Sequence, residues 1–131
     1  MTDSEVTRPE SRATILVLED DPAIRKAILR VLDRAGYATL GADSPPEAMR
    51  LVADPSVPLR LLITDFSFHA VTGHEVFEYL CRDRPDLRVL YISGHGEVDV
   101  LPPERRRAGC AFLQKPFSIG ALVDQVRELL R

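Results

Sequence analysis

Two kinds of hydrophobic pattern alternate along the chain. Short apolar runs lie at residues 15–18 (ILVL), 59–63 (LRLLI), 87–92 (LRVLYI) and 110–113 (CAFL), with a weaker one at 37–41 (YATLG). Runs of this length, apolar at nearly every position, mark strands buried on both faces, as in a parallel sheet covered by helices. Between them the period changes. Ile24, Ala27, Ile28, Val31, Leu32 and Ala35 follow the spacing of an amphipathic helix. Asp21 is placed to cap its start, Pro22 suits its first position and Gly36 closes it. Ser44-Pro45-Pro46-Glu47 has capping-box spacing ahead of a short helix that carries Ala48, Met49, Leu51 and Val52. Val76, Phe77, Leu80 and Cys81 predict a third helix that stops before Pro85. Ser118 can cap a final one with Leu122, Val123, Val126, Leu129 and Leu130 on its buried stripe.

The order is strand then helix, five times over, with one irregularity. Pro102-Pro103 interrupts the segment after the fourth strand, so a short or irregular fourth helix is expected there. Such an order implies a doubly wound α/β fold: a five-stranded parallel sheet in the order 2-1-3-4-5, with right-handed crossovers. The first and third strands then lie side by side where the winding reverses. Residues 1–13 are polar and are expected to form a disordered tail before one domain over residues 14–131.

Composition narrows the function classes. The chain has 131 residues, enough for one core, and its net charge of -3 gives no reason to expect nucleic acid or an anionic membrane as partner. There is no apolar stretch of membrane-span length and no secretory signal, which predicts a cytoplasmic protein. Cys81 and Cys110 lack metal-ligand spacing and are expected to be buried thiols. Arg105, Arg106 and Arg107 are expected on a solvated face.

Chemistry gathers at the strand ends. Glu19 and Asp20 follow the first strand, Asp65 the third, Ser93 the fourth and Lys115 the fifth. Open α/β sheets bind ligands beyond this edge. Three carboxylates converging there repel one another and need a cation or raised pKa values. All-oxygen ligation suits Mg2+. Lys115 adds a point charge for a carboxylate or phosphoryl oxygen, and Ser93 a hydroxyl donor. A carboxylate nucleophile, Asp65, beside these groups makes a phosphoryl-acceptor site. Each feature alone is ordinary, and Asp21 is read as a helix cap. The combination at four strand ends carries the reading.

The segments ILVLEDDPAIR, LLITDFSFHAVTG, VLYISGHGE and FLQKPF, in this order and spacing, resemble the receiver domain of two-component response regulators across residues 14–131. The irregular stretch before FLQKPF is most similar to receivers of the hybrid sensor kinase type. The resemblance implies a flavodoxin-like fold and a phosphoryl group passing from a histidine kinase or histidine phosphotransfer protein to Asp65, followed by altered contacts with a downstream protein. It implies self-catalysed transfer and slow autodephosphorylation rather than an enzyme. Asp20 and Asp65 would ligate Mg2+ directly, Glu19 through water, and Ser67 through its backbone carbonyl. Lys115 would bridge to Asp65, and the Lys115-Pro116 peptide would be cis. Ser93 and Phe112 would form the switch, and Ser67 and His95 would tune phosphoryl lifetime.

Some positions depart from the family pattern. Phe68 and His69 stand where an aliphatic residue and a proline are usual, and Gly94 leaves the site open. His69, His74 and His95 lie near the active rim and are expected to be exposed without a dedicated role. Both a single-domain regulator, toward which the polar tail after Met1 leans, and a domain of a larger hybrid kinase fit the sequence. Two other functions stay in view: a receiver-fold interaction module that signals without phosphorylation, and a metal-dependent hydrolase on a doubly wound sheet.

Overall fold

The apolar runs become the strands of one sheet. The three central ones are buried on both faces as expected, whereas the two at the edges, residues 110–113 among them, are only partly buried because no further strand among the described residues flanks them. A computed structural model describes residues 13–66, 72–94 and 109–131. The strands are β1 (Thr14–Leu18), β2 (Ala38–Ala42), β3 (Leu59–Asp65), β4 (Arg88–Ser93) and β5 (Cys110–Gln114). They lie in the order β2-β1-β3-β4-β5, and every neighbouring pair is parallel. The helices among the described residues are α1 (Pro22–Arg34), α2 (Pro45–Leu51), α3 (Gly73–Cys81) and α4 (Ile119–Leu130). This is the doubly wound, flavodoxin-like arrangement that the pattern predicts. Residues 95–108, with Pro102-Pro103 and the arginine run, lie outside the described residues. So do residues 1–12.

Side-chain alternation sorts the core into two layers. Leu16, Leu18, Leu62, Val89 and Tyr91 face Ala48, Val76, Phe77 and Leu80, beneath α2 and α3. Ile15, Val17, Leu61, Ile63, Leu90 and Ile92 face Ile28, Leu32, Leu122 and Val126, beneath α1 and α4. β3 meets this requirement with an irregularity. The register to β1 shifts between Thr14↔Leu59 and Ile15↔Leu61, which leaves Arg60 as an extra residue. Leu59 thereby joins Leu62 in the α2/α3 layer although strict alternation would put it opposite.

Local chemistry sets the helix ends. The Asp21 carboxylate accepts from the N–H groups of Ala23 (2.9 Å) and Ile24 (3.3 Å), with Pro22 in the first turn. At the other end, Gly36 N–H donates to Asp33 O and Tyr37 N–H to Leu32 O, the paired bonds of a Schellman motif. Gly36 has φ +97°, which explains the glycine. At α2, Ser44 accepts from Glu47 N–H, but Glu47 reaches back to the N–H of Asp43 (3.1 Å) and not to that of Ser44. Cys81 and Cys110 are partly exposed thiols, not fully buried ones. No helix among the described residues is long and apolar enough to cross a membrane.

Candidate functional site

Strands β1 and β3 are adjacent and parallel, so whatever follows one meets whatever ends the other. Glu19 follows β1 and is held at both ends of its backbone: its N–H donates to Ala42 O (3.0 Å), and its carbonyl accepts from Arg25 Nη1 (2.7 Å). Its side chain turns inward, 3% exposed, and accepts from Asp21 N–H (3.1 Å). Asp65 ends β3. Carboxylate oxygens of Glu19, Asp20 and Asp65 all lie within 4.8 Å of one another. Lys115, just past β5, brings its Nζ to 3.3 Å from Asp65 Oδ1 and 4.0 Å from Glu19 Oε1. Asp21 turns away to cap α1, so the run of three acids divides as the sequence suggests.

Electrostatics follow from this crowding. Burial pushes the Glu19 carboxyl up to about 7; the Asp21 N–H opposes the shift, the Asp65 charge adds to it and Lys115 works against it. Burial also raises the Asp65 carboxyl, against the attraction of Lys115. For Lys115 burial alone would lower the ammonium, but Asp65 and Glu19 outweigh it and the net shift is upward. Three hard oxygen donors around a point where carboxylates resist ionisation fit an oxygen-preferring divalent cation.

The neighbouring backbone is pinned. Phe66 N–H donates to Ile92 O (3.0 Å), Gly73 N–H to Phe66 O (2.7 Å) and Lys115 N–H to Ser93 O (2.8 Å). Gly73 is needed because any Cβ there would strike the carbonyl of Asp65 and the Thr64 side chain. The Lys115-Pro116 peptide is cis. Ser93 is buried at the end of β4. Phe112 sits opposite Tyr91 across the β4/β5 ladder, ring centroids 5.1 Å apart. The fold therefore brings Glu19, Asp20, Asp65 and Lys115 together and places Ser93 and Phe112 on the adjoining strands. Ser67, Phe68, His69 and His95 lie outside the described residues.

One site neighbour contradicts its sequence expectation. His74 is not an exposed bystander: its Nδ1 lies 2.8 Å from the hydroxyl of Tyr91, and its ring stacks on Phe66. The bond spans two elements and leaves no periodic trace in the sequence.

The family model for the response regulator receiver domain matches residues 15–127. The chain belongs to this family. As a receiver domain it is 32% identical over 123 residues to the C4-dicarboxylate transport transcriptional regulatory protein DctD of Pseudomonas aeruginosa, covering 92% of this chain and 26% of that protein. It is 28% identical over 116 residues to the response regulator receiver protein CpdR of Brucella abortus, covering 88% of this chain and 95% of that one. The receiver domain thus spans about a quarter of one relative and nearly all of the other. A solved receiver domain from Clostridium thermocellum superposes with TM-score 0.79 at 25% identity, covering 90% of this chain and 94% of that one. The receiver domain of the hybrid histidine kinase CckA gives 0.75 at 26% identity, covering 91% and 100%. That match agrees with the hybrid-kinase character of the sequence.

Proposed function

We propose that this receiver domain accepts a phosphoryl group on Asp65 from the phosphohistidine of a histidine kinase or histidine phosphotransfer protein, with Mg2+, and then changes its contacts with a downstream protein. The observation that carries the proposal is the Lys115 ammonium 3.3 Å from the Asp65 carboxylate, inside a cluster of three carboxylates. A carboxylate oxygen of Asp65 forms the new bond to phosphorus. The phosphorus–nitrogen bond of the donor breaks, and its electron pair returns to the imidazole, which takes up a proton.

Lys115 opposes the upward push of burial on the Asp65 carboxyl and lies ready to meet an incoming phosphoryl oxygen. Asp20 and Asp65 would hold Mg2+ directly, Glu19 through water, with the carbonyl of Ser67 completing the protein's share. When bound, the ion neutralises phosphoryl charge. Ser93, at the end of β4, would move toward the phosphoryl oxygen, with Phe112 following on β5. Ser67 and His95 would set how fast the acyl phosphate hydrolyses.

Asp65→Asn tests the assignment. Incubated with Mg2+ and a small phosphodonor, the wild-type protein is expected to gain one phosphoryl group by intact mass, and the variant none. Labelling of the variant at the wild-type rate would overturn it.

A further inference from the structure

Tyr91 is 0% exposed, and a buried phenol needs a partner for its hydroxyl. His74, the second residue of α3, supplies one through Nδ1 at 2.8 Å. The other ring nitrogen, Nε2, is buried without a hydrogen-bond partner among the described residues, but it lies 3.3 Å from Glu78 Oε2, one turn along the same helix. A carboxylate at that distance favours the proton on Nε2 and leaves Nδ1 to accept from the Tyr91 hydroxyl.

The Tyr91 ring is a hub. Phe66, the residue after Asp65, meets it edge-on at 5.1 Å, and Phe112 leans on it at 5.1 Å. Phe77 of α3 closes a further side at 6.4 Å. Phe66 also stacks on His74 and lies 6.2 Å from Phe112. Tyr91 and Ser93 are two residues apart on β4 and share a face. The wall behind the candidate switch residue Phe112 is thus an aromatic ring whose far end is tied to the first turn of α3.

We propose that His74 is a positioning residue for the switch: through its hydrogen bond to Tyr91 it fixes the ring against which Phe112 rests. It thereby sets the balance between the resting and phosphorylated surfaces without touching the chemistry at Asp65. The proposal rests on the phosphoacceptor function above for what drives the switch, but not for the coupling itself. Losing the bond removes one of the restraints on Tyr91 and weakens the wall, so that Phe112 leaves its place more readily without a phosphoryl group.

The test uses the full chain with p-fluorophenylalanine at position 112, read by fluorine NMR with and without Mg2+ and a beryllofluoride phosphoryl mimic. Tyr91→Phe removes one oxygen and keeps the ring. His74→Asn keeps an acceptor near Nδ1, and His74→Leu removes it. In the absence of the mimic, Tyr91→Phe and His74→Leu are expected to raise the population with the displaced Phe112 signal about threefold to tenfold. The double variant should do no more than either single one, His74→Asn should behave as wild type, and small-donor labelling of Asp65 should stay within about twofold in all of them. An unmoved signal in a folded Tyr91→Phe protein, or additive single effects, would overturn the proposal. A wild-type protein that neither labels nor responds to the mimic would overturn the phosphoacceptor function instead, and the mimic-free shift in Tyr91→Phe would still decide the coupling.

Discussion

Glu19 shows how one buried carboxyl sets the conditions under which the site works. Its pKa of about 7 in the metal-free fold exceeds the ordinary 4.5, so the folded protein holds a proton there that the unfolded chain has already lost. Stability from this group is full below about 4.5 and is lost as pH rises through about 7. A divalent cation must displace that proton, so Mg2+ affinity is expected to rise between about pH 6 and about pH 8. Calorimetric titration in two buffers of different ionisation enthalpy measures the proton released. Equal affinities at the two pH values, with no proton release, would contradict the account. Gly73 is as tightly determined. Gly73→Ala drives a Cβ into the Asp65 carbonyl, and overpacking of this kind costs about 1–3 kcal/mol, measurable as a lower urea midpoint. Glu19, Asp20, Asp65 and Lys115 were legible from sequence because in a parallel sheet every strand ends on the same edge. His74 was not, because its meeting with Tyr91 depends on the packing of α3 over β4.

At the scale of elements, α3 begins with a reciprocal capping box, the most complete cap among the described residues. Thr72 accepts from Glu75 N–H (3.1 Å), and Glu75 accepts from Thr72 N–H (2.9 Å). Thr72→Ala is expected to cost about 0.5–2 kcal/mol, checked by urea denaturation. A smaller loss would mean that the turn holds without the cap. Its signal in the sequence is Thr72-x-x-Glu75, directly ahead of the apolar positions from Val76 onward. β3 carries a different lesson. Its run of hydrophobic residues announced a buried strand, while the extra residue at Arg60 could not be seen, because a bulge changes which face a residue takes without changing composition. The second helix shows the converse: Ser44 and Glu47 have the spacing of a reciprocal box, yet the glutamate caps Asp43. Spacing specifies reach, and the backbone decides which N–H lies at its end.

Over the whole molecule, two core layers share one sheet, and the site lies on the edge that both reach. A ligand bound there stabilises the fold by mass action. Free Mg2+ at about 100 times its dissociation constant should add about 2.7 kcal/mol, seen as a rise in thermal midpoint. Asp20→Asn is expected to remove most of that gain, because Asp20 belongs to the carboxylate cluster but is exposed and outside both core layers. A gain undiminished in the variant would place the ion elsewhere. The bond from Gly73 N–H to Phe66 O has a consequence at this scale. It clasps the end of β3, next to Asp65, to the start of α3. The clasp joins main-chain atoms alone, so it does not depend on the side chains at the unusual positions Phe68 and His69, and exchanging that pair is expected to leave the end of β3 fastened to the start of α3.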